Sequence, residues 1–351
     1  MKKGGICRGL LPNILRQIFL MNNEILTVKN LKTYFLVNKS KSNPVYVRAV
    51  DGVSFSIKDG EIMGLVGESA SGKSTIAYTI MGMNKPKEGE ILFDGENIIK
   101  KNNQRDFTFK KNVQIVFQDA GSSLNPYQDV QQVLSLPLNV HKIVSKNQIK
   151  NKIAEILEMV ELPVNFMYKP THSIGGGEKQ LVSIARALCR NPRFIILDEP
   201  TSSLDVSIQA KIINMLLKLH REQKLTYLFI THDLSLMRNI ATKVAIMYLG
   251  KIREIATTEK LYKNPLHPYT QMLFSSIPVI SKEEEALKPK KVVSTGEIPS
   301  PVNIPTGCGF NTRCSQKMDI CMEEDPPFLE VSPGHFVRCH RISSNMPSVK
   351  Q

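Results

Sequence analysis

The sequence Gly67-Glu68-Ser69-Ala70-Ser71-Gly72-Lys73-Ser74, followed by Thr75, decides the fold. It lies between an apolar run and a helix-like segment, where Gly-x-x-x-x-Gly-Lys-Ser forms a phosphate-binding loop. Backbone N–H groups of such a loop point at a nucleotide's β-phosphate, and the next helix adds partial positive charge. We therefore predict that this stretch binds ATP, with Lys73 on the β- and γ-oxygens and the Ser74 hydroxyl on Mg²⁺.

Two carboxylates follow a second apolar run downstream of this loop. Asp198 and Glu199 come directly after residues 194–197, which have the pattern of a buried strand. The carboxyl ends of parallel strands are where α/β sheets bind ligands. An Asp-Glu pair after a strand is by itself usually an exposed loop, but the upstream phosphate loop favours catalysis. We predict that Asp198 belongs to the Mg²⁺ shell and that Glu199 accepts a proton from the attacking water.

Short apolar, β-branched runs recur ahead of helical patterns, which indicates an α/β fold. Apolar residues at helical spacing predict an amphipathic helix over residues 146–161. The runs that predict the clearest strands are 61–66, 194–197, 227–230 and 244–248.

The chain is predicted to hold one large domain and a smaller appendage. We expect a dispensable basic extension over 1–20, an ATPase domain over 21–255 with a helical insert at about 119–175, and a separate, irregular Cys- and Pro-rich domain over 256–351.

Composition narrows the function classes. The chain has 351 residues and a net charge of +14, and residues 1–50 hold nine Lys or Arg against the single acid Glu24. Since no aromatic stacking platform accompanies this basic head, a solvated face or an anionic membrane surface fits better than nucleic acid. We see no run of 18 apolar residues, so any membrane role must come through partners.

Together these motifs resemble the ABC ATPases, which have a P-loop NTPase fold. The resemblance implies roles for three further segments. Gln118, in Val116-Phe117-Gln118-Asp119, matches the glutamine loop that joins the metal site to the helical insert, and the resemblance implies that it is a Mg²⁺ ligand. His232 matches the switch histidine that contacts the γ-phosphate, and Ser203-Leu204-Asp205 matches the loop that crosses to the partner subunit. Tyr46 is our candidate for stacking on adenine.

The family's signature, usually Ser-Gly-Gly-Gln, corresponds to Gly175-Gly176-Gly177-Glu178 in this chain. In the family, this segment clamps the γ-phosphate of ATP held by the other subunit, so Gly175 removes one hydroxyl donor. Either drift has left the backbone donors working, or the two ATP sites of a pair differ. We favour pairing with a second, non-identical ATPase subunit, in which the partner's loop faces Gly175.

Several segments resemble the bacterial peptide and nickel importers in particular: 117–126, 199–207 and Asn264-Pro265-Leu266-His267-Pro268-Tyr269-Thr270. The resemblance implies an ATPase at the cytoplasmic face of the membrane, working with two transmembrane permeases and, indirectly, an extracytoplasmic solute-binding protein. We favour oligopeptides or dipeptides over nickel as the solute.

Four of the six cysteines cluster near the C-terminus, at Cys308, Cys314, Cys321 and Cys339. Four thiolates can hold a tetrahedral zinc ion or an iron–sulfur cluster, and the spacings are wider than the usual Cys-x2-Cys zinc pairs. Similar tails in peptide-importer ATPases are associated with a [4Fe–4S] cluster, which we expect here. Four unligated thiols are the alternative. Cys7 and Cys189 are interpreted as isolated thiols.

Other ABC classes fit less well. A DNA-repair or chromosome-organising ATPase would need long heptad insertions or zinc modules within residues 75–198, and a translation factor would carry two phosphate loops. Glu199 and His232 argue against a module that binds ATP without hydrolysing it.

Overall fold

The structure is a computed structural model that describes residues 23–38, 44–100, 102–277 and 296–344. The predicted basic extension over 1–20, including Cys7, lies outside the described residues. Strands β1 to β12 are Glu24–Asn38, Val45–Lys58, Ile62–Val66, Glu88–Phe93, Glu96–Asn97, Val113–Val116, Phe194–Asp198, Thr226–Thr231, Lys243–Tyr248, Lys251–Thr257, Leu329–Ser332 and His335–Val337.

The described α-helices are numbered in the same way. Helices α1 to α12 are Lys73–Met81, Phe107–Asn112, Ala120–Ser123, Val130–Val140, Ile149–Met159, Gly176–Leu188, Val206–Gln223, Leu234–Ile240, Thr258–Lys263, Pro268–Ser275, Ile320–Glu323 and His340–Ser343. Short 3-10 turns lie at Lys146–Gln148, Val164–Tyr168 and Thr171–Ser173. None of the helices in the described ranges is long and apolar enough to cross a bilayer.

The main sheet has the strand order β11-β12-β10-β9-β3-β8-β7-β6 within the described residues. Strands β9, β3, β8, β7 and β6 are parallel, and β10, β12 and β11 extend the sheet in antiparallel fashion. Every residue of β3, β7 and β8 is buried, which explains why these strands are continuous apolar runs. The four predicted strands are confirmed as β3, β7, β8 and β9.

Side-chain alternation along the central strands divides the core into two layers. In β7, Phe194 and Ile196 pack with α1 and the antiparallel sheet β2-β1-β4-β5. Ile195 and Leu197 pack on the opposite face, with α7 and the helical insert. Because successive strand residues point to opposite faces, a single buried strand contributes to both cores.

The helical insert contains α3, α4 and α5. The helix predicted over 146–161 is confirmed as a 3-10 turn at Lys146–Gln148 that continues into α5. Helix α4 begins with a capping box, in which Asp129 and Gln132 satisfy each other's backbone N–H groups. The insert is tied to α6, since the Arg186 guanidinium donates to the Ser123 carbonyl at 2.6 Å.

The C-terminal part contributes strands to the main sheet. Strand β12 pairs with β10, so the main sheet continues across the predicted boundary at 255/256. A partly buried charge cluster reinforces this junction, because Asp325 accepts hydrogen bonds from Lys251, Arg253 and Arg338 at 2.8, 3.1 and 3.2 Å. A three-residue strand carries too little periodicity to be recognised in a sequence, and its partner strand lies far away along the chain.

Candidate ATP site

The phosphate loop connects β3 to α1, and close approach of the neighbouring backbone requires glycine at Gly67 and Gly72. A Cβ on Gly67 would lie 2.1 Å from the Met247 carbonyl oxygen, and one on Gly72 would lie 2.0 Å from that of Ala49. Gly72 also has a φ of 105°, which L side chains rarely adopt. Ala70, at φ 59°, occupies the left-handed region despite its side chain. The loop is therefore tightly held between neighbouring segments.

Lys73 is buried at the start of α1. Its ammonium donates to the carbonyl oxygens of Gly67 at 2.8 Å and Glu68 at 2.9 Å. Burial lowers the pKa of Lys73, while the nearby carboxylates of Glu199, Asp198 and Glu68 act in the opposite direction. The loop thus fixes a cation beside the backbone groups predicted to bind phosphate.

Asp198 and Ser74 form the candidate Mg²⁺ site. The Ser74 hydroxyl donates to Asp198 Oδ1 at 2.9 Å, and Asp198 is fully buried. Its Oδ2 atom has no hydrogen-bond partner among the described residues, although a buried carboxylate oxygen normally needs one. Burial is the main cause that raises the pKa of Asp198, and the Ser74 hydroxyl opposes it. Hydroxyl and carboxylate oxygens are ligands that Mg²⁺ prefers, so the residues fit this ion.

Glu199, Gln118 and His232 converge although they are far apart in the sequence. The Gln118 amide donates to Glu199 Oε2 at 3.2 Å, and His232 Nδ1 lies 3.4 Å from the same oxygen. Glu199 has a φ of 44°, held by a backbone hydrogen bond from its N–H to the Ile230 carbonyl at 2.9 Å. Left-handed backbone at a residue with a long side chain costs about 1–3 kcal/mol and is concentrated at functional sites.

A cavity of about 700 Å³ joins these groups. It is lined by residues 69–75 of the phosphate loop and α1, together with Gln118, Glu199 and His232. The structure therefore brings together most of the residues that the sequence suggested for ATP.

Tyr46 does not line this cavity. It lies on a neighbouring cavity instead, whereas Phe35 lines the cavity of the phosphate loop and is 40% exposed. The strand register explains the difference, because Phe35 pairs with Val47 and Tyr46 pairs with Leu36, one residue along. Phe35 was missed because the spacing to the loop alone does not reveal which face of a bulged ribbon a side chain occupies.

A matched pair of variants tests this correction. We expect Phe35→Ala to weaken ATP binding by about 1–3 kcal/mol, because it removes an aromatic face beside the loop. Tyr46→Ala should change the ATP dissociation constant less than twofold. Titration with a fluorescent ATP analogue measures both. A larger loss from Tyr46→Ala would restore the prediction made from the sequence.

The signature segment lies at the start of α6, away from the phosphate loop. None of Gly175, Gly176, Gly177 or Glu178 is among the described residues that line the cavity. The Gly175 N–H donates to the Glu178 carboxylate at 2.8 Å. Leu204, in the predicted partner loop Ser203–Asp205, approaches the position of a Gly176 Cβ to within 3.5 Å. The signature and the partner loop are thus neighbours on a surface distinct from the chain's own loop.

The four C-terminal cysteines converge without forming a recognisable metal site. Cys308 and Cys321 are buried, and the Cys308 N–H donates to the Cys321 carbonyl at 2.8 Å. Burial raises the pKa of Cys314 to about 11, and charge on the other three thiols adds to the shift. Within the described residues, no group of three or more His, Cys, Asp or Glu could hold a metal ion as arranged. The expected iron–sulfur cluster is therefore not supported by this geometry.

Comparisons with known proteins cover both the phosphate-loop part and the C-terminal part of the chain. The ABC transporter profile matches residues 50–202, and a profile for the oligopeptide/dipeptide transporter C-terminal region matches residues 253–321. The oligopeptide transport ATP-binding protein AppF of Bacillus subtilis is 45% identical over 91% of this chain and 98% of its own length. The chain belongs to the ABC transporter ATP-binding proteins. Like other members, this ABC ATPase uses ATP with Mg²⁺.

Another transport ATP-binding protein and two solved structures are also similar to this ABC ATPase. The dipeptide transport ATP-binding protein DppF of Haemophilus influenzae is 37% identical and covers 92% of this chain and 98% of its own length. Among solved structures, cbiO1 of Clostridium perfringens has a TM-score of 0.59 at 28% identity and covers 68% of this chain and 91% of its own. The dimeric cassette MJ0796 bound to ADP and Pi has a TM-score of 0.58 at 29% identity, with 66% and 98% covered.

Proposed function

We propose that this ABC ATPase powers import of oligopeptides or dipeptides from the cytoplasmic face of the cell membrane. The observation that carries the proposal is the likeness of both halves of the chain to the same group of proteins. The ATPase half matches ABC transporters generally, whereas residues 253–321 match a C-terminal region described for oligopeptide and dipeptide transporters. Relatives described as oligopeptide and dipeptide transport proteins cover more than nine-tenths of the chain.

Within this proposal, Asp198 and Ser74 hold Mg²⁺, and Lys73 and the loop amides hold the β- and γ-phosphates. The ion supplies charge neutralisation at the phosphates. Glu199 Oε2 accepts the proton of the attacking water, and Gln118 and His232 orient that carboxylate through their contacts at 3.2 and 3.4 Å. Because the site is assembled from several strand ends, small movements of Gln118 alter the position of the base.

A groove beside the helical insert supports docking of permeases. Its volume is about 830 Å³, and its lining includes Leu136 and Val140, which are 60% and 63% exposed. Exposed apolar residues gathered at a groove are typical of a protein interface. Gln118 lines both this groove and the ATP cavity. A permease segment bound in the groove would therefore contact Gln118, which also lines the ATP cavity.

Purification of the chain from its native membrane, followed by mass spectrometry, tests the assembly. We expect two transmembrane permeases and a second ABC ATPase to co-purify, while an extracytoplasmic solute-binding protein associates indirectly. Recovery with DNA-repair proteins or ribosomes would contradict the proposal.

We further propose that the two ATP sites of the pair are unequal. The chain's own loop, facing the partner's signature, forms the efficient site, and the partner's loop facing Gly175 forms the weaker one. Loss of one aligned donor to a transition-state oxygen typically costs about 3 kcal/mol, or on the order of a hundredfold in rate. The Glu178 carboxylate, bonded to the Gly175 N–H, also places negative charge beside this clamp.

The variant Gly175→Ser should raise hydrolysis at the weaker site. A Cβ at Gly175 would meet only Glu178 Oε2, at 3.6 Å, so the serine fits without rearrangement. Gly175→Ala is the matched control, because it fills the same space without a donor. Turnover is measured in the assembled pair with Glu199 of this chain changed to Gln, so that the efficient site is inactive and only the site facing residue 175 hydrolyses ATP. Equal rates for the serine and alanine variants would contradict the asymmetry.

For the cysteines we propose a [4Fe–4S] cluster held by Cys308, Cys314, Cys321 and Cys339, with zinc as the alternative. What supports this is that Cys308 and Cys321 are buried in the same core, against which Cys314 packs, and that the Cys308 N–H donates to the Cys321 carbonyl at 2.8 Å. Ligand binding would require the thiols to lose their protons and to shift from the described arrangement. Anaerobically purified protein should contain about four iron and four sulfide per chain and absorb visible light. A colourless, zinc-loaded protein would refute the cluster.

A further inference from the structure

Glu68 follows Gly67 in the phosphate loop, and residues of the C-terminal segment hold it in place. Arg313 donates to both carboxylate oxygens of Glu68, at 2.8 and 3.0 Å. The Tyr269 hydroxyl accepts a hydrogen bond from the Glu68 N–H at 3.1 Å. The Glu68 carbonyl accepts from Lys73 at 2.9 Å. The side chain, the N–H and the carbonyl of one loop residue are therefore each fixed by a different partner.

Arg313 is itself firmly placed. Its side chain is 9% exposed, and its guanidinium lies 5.7 and 5.8 Å from the ring centroids of Tyr248 and Phe310. Phe310 packs on Tyr269 with ring centroids 5.3 Å apart, so both contacts to Glu68 come from one aromatic cluster. A bidentate guanidinium–carboxylate pair on such a support has little freedom to move.

The Arg313–Glu68 ion pair also neutralises the negative charge that Glu68 places in the phosphate loop. Glu68 places a carboxylate in a loop that must attract phosphates, and its charge is felt at Lys73. A neutralising cation on the side away from the cavity reduces repulsion of a nucleotide while leaving the loop's inward-facing N–H groups in place. Arg313 is not among the residues that line the cavity, so it acts through Glu68 rather than by contact with the nucleotide.

We propose that Arg313 is a positioning residue for ATP binding: it is the point at which the C-terminal segment neutralises Glu68 and holds the phosphate loop in its binding conformation. This inference rests on the proposed binding of ATP at the loop. It gives the C-terminal segment a role in the ATPase cycle, because displacement of the turn from Cys308 to Cys314, which carries Arg313, would release Glu68.

A double-mutant cycle on the full chain tests the inference, with Mg–ATP affinity and the thermal unfolding midpoint as readouts. Arg313→Met should weaken Mg–ATP binding about ten- to a hundredfold, the cost typical of an unpaired charged group. Arg313→Lys, which keeps the charge but loses the bidentate geometry, should recover part of the loss. In a Glu68→Gln background, Arg313→Met should change the affinity by less than about twofold, since the shared contact is already gone.

Asp325→Asn is the matched control, because it weakens the cluster that joins the C-terminal segment to β10 without touching the loop. It should lower the unfolding midpoint yet leave Mg–ATP affinity within about twofold of wild type. If Arg313→Met lowers only the unfolding midpoint, or if Asp325→Asn weakens ATP binding equally, the inference is wrong. If the Arg313→Met variant does not fold, Arg313→Lys and Glu68→Gln give the same comparison. Failure of the wild-type chain to bind ATP would instead overturn the proposed function.

Discussion

Glu199→Gln is expected to lower ATP turnover of the assembled transporter by about 10²–10⁴-fold, the contribution typical of a general base. The amide keeps the shape of the side chain and its hydrogen bond capacity, but it cannot accept the proton of the attacking water at Oε2. ATP binding should persist, because Glu199 is not predicted to hold the phosphates. Phosphate release and nucleotide binding, measured on the same preparation, separate the two effects.

The effect of Glu199→Gln is compared with that of a control substitution in this chain and of the equivalent substitution in the partner ATPase. Glu222→Gln, at the exposed end of α7, removes a carboxylate far from the cavity and should leave turnover unchanged. The equivalent glutamate of the partner ATPase serves the weaker site, so its replacement should cost much less than Glu199→Gln. Equal losses from the two subunits would sink the proposed asymmetry, and unchanged turnover in Glu199→Gln would remove Glu199 from catalysis.

Lys73→Met is expected to abolish measurable ATP binding at this loop. The buried ammonium is the only lysine that donates to loop carbonyls among the described residues, at 2.8 and 2.9 Å. Its removal leaves those carbonyls unpaired and takes away the cation predicted to neutralise the β- and γ-oxygens. Losing a buried charge-assisted contact of this kind costs at least about 3 kcal/mol, or more than a hundredfold in affinity.

Lys85→Met is the matched control for this change. Lys85 is exposed and lies just beyond the end of α1, so the same substitution there leaves the cavity intact. Equilibrium dialysis with labelled ATP compares the two variants. Retention of near-normal affinity by Lys73→Met would mean that the backbone amides alone hold the nucleotide.

The sequence predicted four central strands of the main sheet, β3, β7, β8 and β9, because buried strands such as β7 are unbroken apolar runs. Gln118 and His232 were expected at the site only from the resemblance to ABC ATPases. The structure places them beside Glu199 because each follows a parallel strand, and parallel strands share one carboxyl edge. Tyr46 lies outside the cavity of the phosphate loop whereas Phe35 lines it, and β1 and β2 contain register shifts around Tyr34 and Leu36. A one-residue slip moves a side chain to the other face.

Contacts between segments far apart in the chain could not be predicted from the sequence. Arg313 and Glu68 are separated by 245 positions, and neither side chain lies in a pattern that identifies the other. Strand β12 has only three residues, so its pairing with β10 could not be predicted from sequence periodicity either. These long-range contacts attach the C-terminal segment to the ATPase, and only the folded arrangement reveals them.

The most direct test of the central claim is peptide uptake by the purified transporter in proteoliposomes, with ATP enclosed on the side where this chain lies and labelled peptide delivered by the solute-binding protein outside. We predict accumulation of labelled peptide that requires enclosed Mg–ATP and disappears in the Glu199→Gln variant. Labelled nickel should not accumulate under the same conditions. Peptide uptake that is insensitive to Glu199→Gln, or ATP-dependent accumulation of nickel in place of peptide, would contradict the account.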